Sequence, residues 1–335
     1  MVTYDLALPL PATGDVTTSE QSNLASAAET AGYDLVLVPE TWGREAFTRL
    51  GYLAARTDTI RLGTGIVPVH SRSPALIAQA VATLDELTAG RAVLGLGLSG
   101  PQVIENWHGM EFRPALRRQR ETIEIVRQVL SGDDVTYDGT LFDLEHFRLR
   151  FEPLRSSVRI YVAAQGETNV ELAGEFADGW MPNRIPVSSL ADVREHVDRG
   201  ARTRDRDPTA VATIPWVTTC LLEDGERARD RCRETIAFYV GAMGEFHYDA
   251  VAEHGFRETA DRIRDRWAAG ETEAAREAVT DELLDEIAIA GRPDAVDHLF
   301  ERYEGLADTL ALLPPTTASV EEVRETIEHV GSSIA

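Results

Sequence analysis

Three short glycine-bearing segments of this sequence sit where chemistry could be done. Gly63-Thr64-Gly65-Ile66-Val67-Pro68 places two glycines inside a run of β-formers. Glycine within a strand marks a bulge or a close approach to the backbone; a simple tight turn is the other reading. Gly95-Leu96-Gly97-Leu98-Ser99-Gly100 matches G-x-G-x-x-G. The dinucleotide fingerprint, however, opens a helix inside a βαβ unit, whereas here Pro101 follows the third glycine. Pro101 also stands where a nucleophile elbow, G-x-S-x-G, requires glycine. What remains is a glycine-rich strand end at Ser99 and Gly100, where a ligand can approach the backbone closely. Gln165-Gly166-Glu167-Thr168-Asn169, behind Ala164, opens a helix. Its unpaired N–H groups and positive dipole end suit a phosphate; plain capping by Thr168 or Asn169 is the alternative.

Side chains able to move protons are fewer. Glu40-Thr41-Trp42 follows an apolar run, and a carboxylate beside a large aromatic suits acid–base work or a ligand contact. Exposed placement of Glu40 is the plain reading. Of eight histidines, His70 and His108 fall in loops after strands. None has H-E-x-x-H or other paired spacing, so no metal site is expected. Cys220 ends an apolar run and Cys232 sits in an Arg-rich helical stretch; both read as structural thiols.

The elements that must position these residues alternate. Strands are expected at Tyr4–Leu8, Leu35–Val38, Ile60–Val67, Arg91–Leu96, Ile160–Ala163, Gly179–Pro182, Ala212–Leu222 and Thr309–Leu313. Helices fill the spaces: Ser19–Ala31 closed by Gly32, Phe47–Arg56, a helix opened by Pro74 and ending near Gly90, Arg117–Leu130, Asn169–Ala177, and one through Arg194 to Arg202. Pro near the start and Gly at the end is the usual asymmetry. Tyr137–Pro153 reads as an inserted hairpin around Gly139, and residues 226–290 as polar helices without a clear strand. Ser319 with Glu322 makes a capping box for the last helix. Strand–helix alternation implies a parallel sheet covered by helices. Eight such units point to an α/β fold, a (β/α)8 TIM barrel in one domain over 1–335, with an inserted hairpin and extra helices; an open doubly wound sheet is the alternative.

Composition narrows the function classes. The chain has 335 residues, 43% hydrophobic and 27% charged, with a net charge of −23. It contains no lysine, so every cation except histidine is arginine. Such a field repels nucleic acid and anionic membranes. It keeps a protein soluble where salt shortens the Debye length, to ~3 Å at 1 M. The expectation is a halophile's cytoplasmic enzyme. No apolar run approaches the ~20 residues that span a bilayer, and Met1-Val2-Thr3-Tyr4-Asp5 does not read as a signal peptide.

Taken together, the strand-end segments resemble the bacterial-luciferase-like monooxygenase superfamily, and within it the oxidoreductases that use the deazaflavin coenzyme F420. The likeness is carried by Ala31-Gly32-Tyr33-Asp34 into Val38-Pro39-Glu40, Ile60-Arg61-Leu62-Gly63-Thr64-Gly65-Ile66 and Ala89-Gly90-Arg91 into Gly95-Leu96-Gly97. It continues through Ser99-Gly100-Pro101-Gln102-Val103 with Trp107-His108-Gly109, Ala164-Gln165-Gly166, Glu171-Leu172-Ala173-Gly174 and Ala177-Asp178-Gly179. The resemblance implies a cofactor across the barrel mouth, a bulge with a non-prolyl cis peptide at Gly65-Ile66 against the ring, and Ser99 and Gly100 beside it. It implies phosphate at Ala164, Gln165 and Gly166, and a homodimer; the acidic, lysine-free composition adds the expectation of a haloarchaeal source. Glu40 is then the candidate for proton handling or cofactor hydrogen bonding, with Thr41 beside the cofactor. Trp42, His70, Trp107 and His108 would line the substrate side.

The sequence also departs from better-defined members. Sugar-phosphate dehydrogenases and methylene-tetrahydromethanopterin reductases carry Asp-His where this chain has Glu40-Thr41. The dehydrogenases place a Glu after the fourth-strand glycines, where this chain has Gly100-Pro101. The expected reaction is therefore hydride transfer between the deazaflavin and a small organic substrate that the sequence does not name. The competing readings are a flavin-mononucleotide (FMN) monooxygenase, a methylene-tetrahydropterin reductase, and a non-redox barrel enzyme acting on a phosphorylated metabolite.

Overall fold

A computed structural model describes residues 5–11 and 16–334. Its strands in chain order are β1 (Asp5–Pro9), β2 (Leu35–Val38), β3 (Arg61–Thr64), β4 (Val67–Pro68), β5 (Ala92–Gly97), β6 (Val135–Asp138) and β7 (Asp143–Phe147). They continue as β8 (Arg159–Ala163), β9 (Gly179–Met181), β10 (Ala212–Thr213), β11 (Trp216–Leu221), β12 (Ala288–Gly291) and β13 (Thr309–Leu313). The Met1–Tyr4 end of the sequence, including the start of the expected first strand, lies outside the described residues. Two compact units emerge: Met1–Asp34, Met181–Glu195 and Thr213–Ala335 form the first, and Leu35–Trp180 and His196–Ala212 the second.

In the second unit β2, β3, β5 and β8 run parallel in that order, with β9 beside β8. Leu35-Val36-Leu37-Val38 is buried throughout, as a parallel strand covered on both faces must be. Glycine at 63 is a packing requirement: a Cβ there would lie 2.8 Å from the Val93 carbonyl oxygen. Thr64 stitches the next strand by donating to Gly95 O (2.7 Å) and accepting from Gly95 N (2.8 Å). The helix Pro74–Leu87 starts as expected, with Ser73 as N-cap and proline in its first turn. The hairpin is present: β6 and β7 pair antiparallel. Its turn is held to the helix Ala115–Leu130, whose Glu121 accepts from the N–H groups of Thr140, Leu141 and Phe142. The helix Glu167–Phe176 meets the helix Leu190–Thr203 through Gly174 and Gly200. A Cβ on either would fall within 2.0 Å of a backbone oxygen opposite.

In the first unit the parallel order is β1-β13-β11-β12. Here the structure corrects two expectations. The run Ala212–Leu222 is not one strand: it breaks at Ile214-Pro215, because proline has no N–H to give a ladder. The stretch read as wholly helical contains β12, parallel to β11 with Thr219 opposite Ile289. Four small apolar residues directly after the helix Asp281–Ile287 carry no period that separates strand from helix. The helices between β11 and β12 close a core of Cys220, Cys232, Ile236, Val240, Ile263, Leu283 and Leu284. Both cysteines are free and buried, and burial pushes the Cys220 thiol up to about 12, so neither is a reactive thiolate. Ser319 and Glu322 form the expected capping box. Among the described residues no helix is long and apolar enough to cross a membrane.

Candidate active site

Every residue singled out from the sequence as a site candidate lies in the second unit. The chain leaves β2 through Pro39 and Glu40, and the Glu40 N–H donates to Ile66 O at 3.3 Å. The Glu40 carboxylate faces Arg72 as a fork, Oε1 to Nη1 at 2.6 Å and Oε2 to Nη2 at 2.7 Å. Oε2 also accepts from the N–H of Ala46, at the start of the helix Ala46–Ala54. Both side chains are largely buried, at 10% and 13% exposure. A second carboxylate, Glu45, shares Arg72. It is held below the usual carboxylate range by N–H bonds from Thr48 and Phe47 and by that guanidinium, against the opposing effect of burial. Arg72 was not anticipated; an arginine in an arginine-rich chain carries no local mark of its partner.

Gly65–Ile66 is a cis peptide, with the Gly65 N–H bonded to Val38 O at 2.9 Å. The Ile66 side chain lies over Gly97. A Cβ at 97 would come 2.9 Å from Ile66 Cγ1 and 3.0 Å from Cδ1. Ile66 therefore occupies the volume that any side chain at the end of β5 would take. Beyond Gly97, Ser99 is left-handed (φ 59°), an uncommon conformation for a residue with a Cβ. A Cβ on Gly100 would meet nothing within 4 Å. The open backbone at Gly100 leads into a π-helical turn, Gln102–Trp107, a feature frequent at functional sites.

His70 is fully buried, stacked on Phe112 at 5.4 Å with its Nε2 2.9 Å from Phe112 O. A carbonyl only accepts, so Nε2 carries the proton and Nδ1 is left as an acceptor. That Nδ1 is buried without a hydrogen-bond partner, and so is His108 Nε2. Burial lowers the His70 pKa against the raising effect of the Phe112 bond, and the Arg118 and His108 charges lower it further, so the ring is neutral near pH 7. Trp42 and Trp107 are exposed, at 45% and 66%. Thr41 is partly exposed beside Trp42.

The third segment is placed as expected, though its helix opens two residues earlier, at Glu167 with Gly166 as N-cap. Gly166 has no side-chain cap, and a Cβ there would meet nothing within 4 Å. Ala164 is buried and its carbonyl accepts from Trp180 Nε1 at 2.9 Å; Gln165 is partly exposed. Asn169 Oδ1 accepts from the buried Gln119, whose own Oε1 has no partner. Glu167, Glu171 and His196 cluster nearby. Arg199 donates to both carboxylates, at 3.1 and 2.7 Å, so a guanidinium already supplies the positive charge there.

Comparison with known proteins identifies the family. Residues 6–310 match the family described as Luciferase-like monooxygenase. A Mycobacterium tuberculosis protein, whose name assigns it to the coenzyme F420-dependent oxidoreductases, is 33% identical over 96% of this chain and 97% of its own length. The 5,10-methylenetetrahydromethanopterin reductase of Archaeoglobus fulgidus is 32% identical over 80% of this chain and 81% of its own. Among solved structures, the coenzyme F420-dependent tetrahydromethanopterin reductase of Methanopyrus kandleri shares the fold. Its TM-score is 0.85 at 22% identity, covering 98% of this chain and 97% of that one.

Proposed function

This chain belongs to the luciferase-like monooxygenase family, and we propose that within it the protein is a coenzyme F420-dependent oxidoreductase acting on a small organic substrate. The observation that carries the reading is the Ile66–Gly97 seat, an apolar side chain pressed onto a glycine with the open backbone of Gly100 beside it. A planar ring needs such a wall, and the names of the relatives supply the ring's identity.

When bound, the deazaflavin supplies two-electron hydride chemistry of the nicotinamide kind; the protein contributes orientation and a dry site. Ile66 backs the ring, and Gly65, Ser99 and Gly100 keep the backbone close to it. Ala164, Gln165 and Gly166 take the phosphate at the start of the helix Glu167–Phe176, where N–H groups converge. Trp42, Trp107 and His108 border the substrate, and the free Nδ1 of His70 accepts a hydrogen bond from a substrate hydroxyl. In place of the two roles expected for Glu40, proton handling or cofactor hydrogen bonding, the Arg72 fork favours a positional one: the carboxylate, with both oxygens engaged, fixes the residue whose backbone N–H holds Ile66 O, with Thr41 turned toward the cofactor beside it.

The same reading makes the whole chain one (β/α)8 barrel domain, cytoplasmic, homodimeric and of haloarchaeal type. The test is a binding titration in high salt with the deazaflavin and with FMN, followed by a substrate screen on the deazaflavin's visible absorbance. Tight deazaflavin binding and substrate-dependent bleaching or recovery are expected. Tight FMN binding with none of the deazaflavin would replace this reading by the monooxygenase, and failure of both by a non-redox enzyme.

A further inference from the structure

Arg184 lies three residues beyond the end of β9 at Met181, a position of the kind that holds ligand groups in parallel α/β proteins. It is 2% exposed. Its Nη1 donates to Asn183 Oδ1 at 2.8 Å, but Nε and Nη2 have no hydrogen-bond partner. These two nitrogens form one edge of the guanidinium, the edge that grips both oxygens of an oxyanion. Elsewhere in this chain the same edge is used that way: Arg155 Nε and Nη2 hold the Asp85 carboxylate.

Among the described residues no carboxylate offers Arg184 a counter-charge. Its guanidinium carbon lies 3.6 Å from the centre of the Tyr239 ring, and that ring meets His247 edge-on at 4.9 Å. His247 Nδ1 is buried without a partner. Burial, helped by the Arg184 charge, pulls His247 down to about 3, so it is neutral and compensates nothing. Burial lowers Arg184 to about 10, opposed only by Tyr239, and no carboxylate contributes; the group is still charged at pH 7. A ring face offsets only part of the cost of burying a cation. The chain has 56 acidic residues against 33 arginines and pairs other arginines of this unit readily, Arg229 with Asp281 and Asp285 for example.

We infer that Arg184, Tyr239 and His247 form a receptor for an oxyanion carried by a ligand, a phosphate or a carboxylate, with Nε and Nη2 of Arg184 as the donors. The inference rests on the first unit alone and does not depend on the deazaflavin reading. It is tested by calorimetric titration of the full chain with inorganic phosphate and, separately, with succinate, in one KCl buffer. One of the two is expected to bind at millimolar or lower concentration. That binding should weaken at least about 10-fold in Arg184→Gln and less in Arg184→Lys, which keeps the charge but not the fork. Arg292→Gln, which removes an exposed guanidinium paired with Glu223, should bind as the wild type does. Preference for phosphate assigns a phosphoryl group, and preference for succinate a carboxylate. The inference is overturned if neither anion binds the wild type, or if folded Arg184→Gln or Arg184→Lys binds as tightly as the wild type. In either case the cofactor titration above stands untouched.

Discussion

Glu40 and Arg72, 32 residues apart in sequence, meet as a two-pronged ion pair, and the same Glu40 holds Ile66 O through its backbone N–H. One residue thus links the end of β2, the loop before the helix Pro74–Leu87 and the peptide that carries Ile66. Removing Arg72 leaves a largely buried carboxylate with little besides the Ala46 N–H. Arg72→Met should therefore cost about 2–4 kcal/mol and lower Tm by roughly 5 °C or more, with deazaflavin affinity falling in parallel. Glu40→Gln should do less, and the double variant less than the sum of both, because the two act as one unit. Full additivity in thermal melts would show the pair to be inert.

Gly97 and Gly63 should respond differently to the same added methyl. At Gly97 the clash is with the Ile66 side chain, which can swing, so Gly97→Ala should weaken deazaflavin binding about 10-fold while Tm barely moves. At Gly63 the clash is with the Val93 backbone, which cannot yield cheaply. Gly63→Ala should destabilise by about 1–3 kcal/mol. Paired melts and cofactor titrations check this; equal loss of stability in both would contradict it.

Acid sensitivity should begin with histidine. A ring whose folded pKa lies below its unfolded value, about 6.5, binds its proton more readily once unfolded. Its neutral form therefore supports the fold fully above pH 6.5, and that support is lost as pH falls toward the folded pKa. His247, at about 3, makes this window run from pH 6.5 down to 3, with His70 and His254 shifted the same way. Since His247 is partly exposed, its share at pH 5 is about 1–2 kcal/mol. His247→Gln should flatten the stability profile between pH 6.5 and 5, a range above the titration of Glu45 and Glu322, which are lowered. An unchanged slope would remove His247 as its source.

The charge imbalance makes salt a stabiliser. Raising KCl from 0.1 M to 1 M shortens the Debye length from ~10 Å to ~3 Å, which relieves repulsion among the exposed acids of a chain carrying −23. Tm should climb steadily over that range. A flat or falling curve would show the composition to be merely acidic.

The parts of the fold that were legible were those with local signatures. Leu35-Val36-Leu37-Val38 has no reading but a buried strand, Gly139 between two short runs gives the hairpin, and Ser319 with Glu322 gives the last cap. β12 was illegible because Ala288-Ile289-Ala290-Gly291 has neither length nor alternation. The three glycine-bearing turns of the site were visible because glycine there answers a local need. The cis peptide at Gly65–Ile66 was implied by family likeness alone. Arg72 and Arg184 were invisible for one reason: what distinguishes them is the presence or lack of a distant partner, which only folding reveals.

The seating of Ile66 on Gly97 also constrains how this protein can vary in evolution. The two positions share one volume, so neither can enlarge unless the other shrinks. Descendants that acquire a side chain at 97 must first, or simultaneously, accept a smaller residue at 66. The pair should therefore drift together across lineages, while the neighbouring open glycines at 100 and 166 drift independently.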